Sequence, residues 1–211
     1  MIEDKAIVFV VDDDPSIRQS LRLLLSSAGY CVEAFASAKE FLESEHDAPA
    51  PACLVLDVKM PSLSGLDLQK ELKSRNYDIP IIFISGHGDI PMSVQAMKNG
   101  AVDFLPKPFD DGHLLDAVKA AFFKDLQARS DRNELKNIMQ RLDSLTPREH
   151  EVLSYLITGM LNKQIAYELK ISERTVKAHR KQVLDKMGVN SIAELVRLTE
   201  KAGFKPAEAS I

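Results

Sequence analysis

The chain has no tryptophan, only two cysteines and nine glycines among its 211 residues. Two thiols build no disulfide framework, and neither Cys31 nor Cys53 has a Cys or His partner at ligand spacing, so both read as small apolar residues in a reduced interior. No stretch of about eighteen apolar residues and no apolar N-terminal signal is present, which suits a cytoplasmic protein that neither enters nor crosses a membrane. Glycine is missing where a nucleotide loop needs it: Gly86-His87-Gly88 has no third glycine and no following Gly-Lys-Ser/Thr. Each half of the chain is also short of one sign of charge. Residues 1–143 hold 16 Lys+Arg against 23 Asp+Glu, net −7, and residues 144–211 hold 11 against 8, net +3. An acidic domain joined to a basic one follows, and the basic one is the candidate for nucleic acid.

What is present is a set of short apolar runs with polar ends. Residues 6–11, 53–56, 81–84 and 102–105 are continuously apolar or nearly so, as strands of a parallel sheet covered on both faces require. Helical spacing lies between them: Ile17, Leu21, Leu24 and Leu25 after Pro15, then Leu66, Leu68 and Leu72 after Gly65, then Met92, Ala96 and Met97 before Gly100. Residues 31–35 supply one more strand. The pattern predicts an α/β domain, a doubly wound, parallel, five-stranded sheet with right-handed crossovers and flavodoxin-like strand order. Such sheets bind ligands at the carboxyl ends of their strands, where this chain has Asp12 and Asp13, Asp57, Ser85 and Lys107. A carboxylate can attack phosphorus without a general base, carboxylates suit Mg²⁺, and a hydroxyl and an ammonium can meet phosphoryl oxygens. Asp14 is better placed to cap the following helix.

Val10-Val11-Asp12-Asp13, Leu54-Val55-Leu56-Asp57 with Met60-Pro61 and Gly65, Ile84-Ser85, and Phe104-Leu105-Pro106-Lys107-Pro108-Phe109 resemble the receiver domain of two-component response regulators, across nearly all of residues 5–125. The resemblance implies Asp57 as phosphoacceptor, Ser85 and Lys107 as its helpers, and Ser85 with Phe104 as a switch pair. It also implies Mg²⁺ (or Mn²⁺) held by Asp12, Asp13, Asp57 and the Lys59 backbone carbonyl, and a cis Lys107-Pro108 bond. Lys59 and His87 flank the site and would set how fast water removes the phosphate, although both also suit plain exposure to solvent.

Residues 110–141 contain no proline and one glycine, and Leu114, Ala121, Ala128, Leu135 and Leu142 recur every seventh position. A long helix is expected. Asp125 and Arg132 interrupt its stripe, so a solvated connector and a paired coiled coil both fit. Beyond it, Thr146-Pro147 opens a helix, Asn162 caps a short second one, Ser172 caps a third over 173–187, and a fourth spans about 191–202. That spacing is a helix-turn-helix within a small all-α domain. Leu145-Thr146-Pro147-Arg148-Glu149, Asn162-Lys163-Gln164-Ile165-Ala166, Thr175-Val176-Lys177 and Lys186-Met187-Gly188-Val189 resemble the LuxR-type DNA-binding domain of the FixJ/NarL branch over about 144–203. Lys177 and Lys181 match its base-contacting positions. Ala178 suits a thymine methyl, and Arg174, Thr175, Arg180, Asn162 and Lys163 suit phosphates.

The expected division is a receiver over 1–125, a helical linker over 126–143, a DNA-binding domain over 144–203 and a flexible tail over 204–211. The expected function is that of a DNA-binding response regulator. A sensor histidine kinase phosphorylates Asp57, and the protein then forms a homodimer and activates transcription on double-stranded DNA, with RNA polymerase a further partner. The chain is not an enzyme, except for a slow loss of its own phosphate. Two rivals are a constitutive transcription factor with a vestigial receiver and a Mg²⁺-dependent phosphatase; Lys59 stands where the latter would need a second acid.

Overall fold

The computed structural model describes residues 6–44, 50–86 and 90–207. His87 and Gly88, weighed above beside the acidic crevice, lie outside them. In chain order the elements are β1 (Ile7–Val11), α1 (Pro15–Ser27), β2 (Cys31–Phe35), α2 (Ala38–Glu43), β3 (Ala52–Asp57), α3 (Gly65–Ser74), β4 (Ile81–Ser85), α4 (Ile90–Lys98) and β5 (Asp103–Pro106). There follow α5 (Asp111–Asp143), α6 (Pro147–Leu156), α7 (Asn162–Glu168), α8 (Glu173–Met187) and α9 (Ile192–Lys201). Two compact units result, one ending at Arg129 and the other beginning at Ser130.

In the first unit the strands form one parallel sheet in the order β2-β1-β3-β4-β5, the flavodoxin-like order the sequence predicts. Alternation along each strand sorts its side chains to two faces. Phe9, Val11, Leu54, Leu56 and Phe83 pack with Phe41, Leu68, Leu72 and Ala96 from α2, α3 and α4. Val8, Val10, Val55, Ile82 and Ile84 pack with Leu21, Leu25, Leu114, Val118 and Phe122 from α1 and α5. With helices on both sides, β1, β3 and β4 can be apolar at nearly every position, and this explains their unbroken runs.

Register does the rest. Val11 pairs with Leu56, Asp57 with Ile84, and Ser85 with Pro106, so Asp12, Asp57, Ser85 and Lys107 emerge together at the carboxyl edge. Asp14 caps α1 by accepting from the Ser16 N–H at 2.8 Å, and Pro15 occupies the first turn, where its missing N–H is no loss.

The long helix α5 begins in the first unit and ends in the second. Residues 130–137 are exposed, whereas Ile138 and Leu142 enter the second unit's core with Leu145, Val152, Leu153, Ile165, Val176, Val183 and Leu195. Two features differ from expectation. Asn162 does not cap α7: Leu161 holds that place without a side-chain cap, and its N–H donates to Gln164 Oε1 at 2.8 Å. Residues 204–207, expected within a flexible tail, are tied down. The Phe204 N–H donates to the Thr199 carbonyl at 2.9 Å, its ring stacks on His150 at 5.8 Å, and the Ala207 N–H donates to the Ser154 carbonyl at 3.0 Å. The reason is that Phe204 follows Gly203, whose φ of 66° turns the chain back onto the apolar core.

Asp125 looks in the sequence like a break in the apolar stripe of α5, yet it is 2% exposed. Its Oδ2 accepts from the Ala52 N–H, the first residue of β3, at 2.9 Å and from Arg129 Nε at 2.6 Å. The charge is thus paired and hydrogen-bonded, and it pins the helix to the start of the central strand. Replacing Asp125 by Ala leaves the Ala52 N–H without this acceptor and should lower the urea unfolding free energy by about 1–3 kcal/mol, with Asn, which keeps an acceptor for Ala52, costing less.

Candidate functional site

At the carboxyl edge of the sheet Lys107 reaches across from the end of β5. Its Nζ lies 2.7 Å from Asp12 Oδ2 and 2.8 Å from Asp57 Oδ1. Both carboxylates are buried, at 1% and 5% exposure, and each has a second donor. Asp12 Oδ1 accepts from the Asp14 N–H at 2.9 Å, and Asp57 Oδ2 from the Lys59 N–H at 2.8 Å. Burial pushes the Asp57 carboxyl above its ordinary range; the bonds from Lys107 and the Lys59 N–H pull the other way, and the Asp12 charge adds to the rise. Burial also works against the Lys107 ammonium, but its bonds to Asp12 and Asp57 outweigh that and raise its pKa. The Lys107 ammonium thus favours the charged form of Asp57 against the burial that opposes it.

The loop after Asp57 approaches closely. The Gly65 N–H donates to the Val58 carbonyl at 3.0 Å, and a Cβ on Gly65 would sit 2.3 Å from the Asp57 carbonyl oxygen. Only glycine fits there. Ser85 is 1% exposed, and its carbonyl accepts from the Lys107 N–H at 2.7 Å. Phe104 is half-buried, with its ring 6.2 Å from that of Phe83. The Lys107-Pro108 bond is cis. Asp13 is exposed beside this crevice, and so is Lys59.

Asp12, Asp13 and Asp57 are hard oxygen donors, the chemistry Mg²⁺ takes, so the residues suit such an ion. Among the described residues no three His, Cys, Asp or Glu side chains are already drawn together around a metal position. Lys107 stands between two of the acids instead. Sequence reasoning overlooked Arg18, whose Nη1 donates to the Asp12 carbonyl at 2.7 Å; an Arg on the outer turn of a helix carries no signal of that reach.

In the second unit Arg174, Thr175, Lys177, Ala178 and Lys181 are all exposed on α8, while Val176, Val183 and Met187 are buried. Arg174, Lys177 and Lys181 share one face by their spacing. Ser172 caps the helix through the Thr175 N–H, and the two hydroxyls lie 2.8 Å apart. Arg180 is half-buried and donates to Asn162 Oδ1 at 3.3 Å, joining the two helices of the motif, with Lys163 beside them on α7. Other basic residues are structural. Arg141 donates to the Met187 carbonyl at 2.9 Å, Arg148 to the Leu169 carbonyl at 2.7 Å, and Lys186 to Glu149 Oε2 at 2.7 Å. Part of the positive charge of this unit therefore holds helix ends.

With the geometry in view, the family follows. Residues 8–119 match the response regulator receiver domain, and residues 143–199 match the bacterial regulatory proteins of the luxR family. The chain is a response regulator. Nodulation protein W of Bradyrhizobium diazoefficiens is 52% identical over 95% of this chain and 88% of its own length. The transcriptional regulatory protein FixJ of Rhizobium meliloti is 42% identical over 95% of this chain and 98% of its own. Among solved structures, the response regulator StyR superposes with a TM-score of 0.82 at 50% identity, over 93% of this chain and 99% of that one. The protein thus combines a receiver with a LuxR-type DNA-binding domain and regulates transcription within a two-component system.

Two measurements probe this arrangement. A carboxyl whose pKa is raised on folding binds a proton more readily folded than unfolded, so its charge opposes folding at neutral pH. Asp57→Asn should then raise the thermal midpoint at pH 7, read by calorimetry. Glu149 has the opposite sign. The Lys186 bond, with the Thr146 N–H, lowers its pKa from 4.5 to about 2, so the stability it contributes is complete above about pH 4.5 and lost as pH falls towards 2. Glu149→Gln should flatten the dependence of unfolding free energy on pH in that window.

Proposed function

We propose that Asp57 of this regulator accepts a phosphoryl group from a sensor histidine kinase, and that the product changes how the protein pairs and binds promoter DNA in the cytoplasm. An Asp57 oxygen attacks phosphorus, the bond from phosphorus to the kinase imidazole nitrogen breaks, and the electron pair leaves with the imidazole. What carries this reading is the Asp12–Lys107–Asp57 arrangement: a buried, ionised nucleophile held by a cation that can transfer to the incoming phosphoryl oxygens. Mg²⁺ or Mn²⁺ bound by Asp12, Asp13, Asp57 and the Lys59 carbonyl would neutralise charge on those oxygens. Ser85 supplies a hydroxyl to the group, and Phe104 follows into the space that Ser85 vacates. Gly65 keeps the Asp57 backbone where attack can occur.

The working division is a receiver over 1–125, a linker over 126–143 and a DNA-binding domain over 144–203. Lys177, Lys181 and Ala178 meet base edges in the major groove. Arg174, Thr175, Arg180, Asn162 and Lys163 meet phosphates. The phosphorylated protein is a homodimer and contacts RNA polymerase, and its phosphate is lost slowly to water.

Acetyl phosphate with Mg²⁺ should add one phosphoryl group by intact-protein mass, and Asp57→Asn should remove the addition entirely. Modification of Asp57→Asn at the wild-type level would remove the assignment. Gly65→Ala should slow the labelling by about 10²-fold if the acceptor shifts by around an ångström. On DNA selected from a random pool, Lys177→Ala should weaken binding by about 1–3 kcal/mol and relax selection at one position. Arg174→Ala should reduce the slope of log affinity against log salt by about 1.

A further inference from the structure

At the opposite edge of the sheet from Asp57, where β4 begins, α3, the turn after α4 and the middle of α5 line a half-open cavity of about 320 Å³. A second hollow of about 310 Å³ adjoins it and shares Gln69, Lys73 and Asn99. The five residues of β4 put roughly 15 Å between this cavity and the acidic crevice. The phosphoacceptor chemistry accounts for none of these residues.

Three features of the lining define a ligand. Leu72, Ile79, Pro80 and the Tyr77 ring make an apolar wall large enough for one ring. Lys73 and Lys124 stand at the rim, with Asp78 the one acid among the described residues of the lining. Lys124 Nζ donates to the Gly100 carbonyl at 3.1 Å, whereas Lys73 makes no ion pair with any described residue. Two cations against one anion favour a ligand that carries negative charge.

Gln69 adds the third feature. It is 5% exposed, its Nε2 donates to the Ala96 carbonyl at 3.3 Å, and its Oε1 is buried with no donor among the described residues. Exchanging the amide O and N gives no relief, because oxygen would then face the Ala96 carbonyl. A buried acceptor without a donor is unfavourable by an amount comparable to a lost hydrogen bond; Oε1 presents almost no surface to the cavity, so a donor arriving with a ligand recovers that bond through a small shift of the Gln69 side chain.

We propose that this cavity binds a small aromatic hydroxy acid: the ring against Tyr77 and Pro80, the carboxylate at Lys73 and Lys124, and the hydroxyl donating to Gln69. The ligand would touch α3 and α5 together. α5 leaves the first unit only a few residues beyond Lys124, so occupancy there reports to the helix that runs on into the DNA-binding unit.

The test is a ¹H–¹⁵N NMR titration of the full chain with three probes: 4-hydroxyphenylacetate, phenylacetate without the hydroxyl, and 4-hydroxybenzyl alcohol without the carboxylate. Saturable shifts should centre on residues 69–81, 99–100 and 124–128, with each truncated probe about fivefold weaker. Lys73→Met, an exposed position, should abolish the preference for the carboxylate, and Gln69→Leu, of similar volume, the preference for the hydroxyl. The proposal fails if no probe saturates, if the three bind equally, or if Lys73→Met leaves the carboxylate preference unchanged. Since phosphorylation of Asp57 is not involved in any of these readouts, their failure leaves the phosphoacceptor reading untouched.

Discussion

Two carboxylates, Asp12 and Asp57, are withdrawn from water at the end of the sheet, and the ammonium of Lys107 between them is what makes that withdrawal tolerable. The rest of the receiver serves this arrangement. Parallel pairing in one register delivers three strand ends to one edge, two layers of helices bury the strands, and Gly65 lets the following loop lie against the Asp57 backbone. Because burial still pushes the Asp57 carboxyl up, the carboxylate is held in a state that folding alone does not favour. On the proposed reading, a phosphoryl group arriving there would change what Lys107 has to neutralise and so how neighbouring elements are held.

The DNA-binding unit divides its basic residues by a similar logic. Those that close helix ends, Arg141, Arg148 and Lys186, are bonded to carbonyls or to Glu149, and they fix the frame from which α8 projects. Those on the outer face of α8 are exposed and available. Net charge alone, which first marked this half as the nucleic-acid partner, does not separate the two groups; hydrogen bonding does.

Much of this was legible in the sequence because strands covered on both faces need unbroken apolar runs, and because ligand chemistry gathers where such runs end. The strand order, the capping role of Asp14 and the helix-turn-helix spacing follow from those rules. Asp125 was not legible. A lone acid in an amphipathic stripe looks solvated until the start of β3 is seen to present its amide to it. Phe204 was missed for a related reason, because its ring meets His150, which only the tertiary fold brings near; Arg18 and the cap of α7 instead use partners six and three residues away, Asp12 and Gln164, whose reach is set by local backbone geometry. Seven-residue spacing in α5 was compatible with a paired seam. The two ends of that helix enter different cores, and residues 130–137 between them are exposed in the single chain.

The central claim is that the DNA-binding unit responds to the charge state of Asp57. Fluorescence anisotropy on a selected operator, with full-length protein before and after acetyl phosphate treatment, tests it most directly. The account predicts that treatment tightens wild-type binding and leaves Asp57→Asn at the untreated value. Equal affinity for treated and untreated wild type, in protein shown by mass to be phosphorylated, would contradict it.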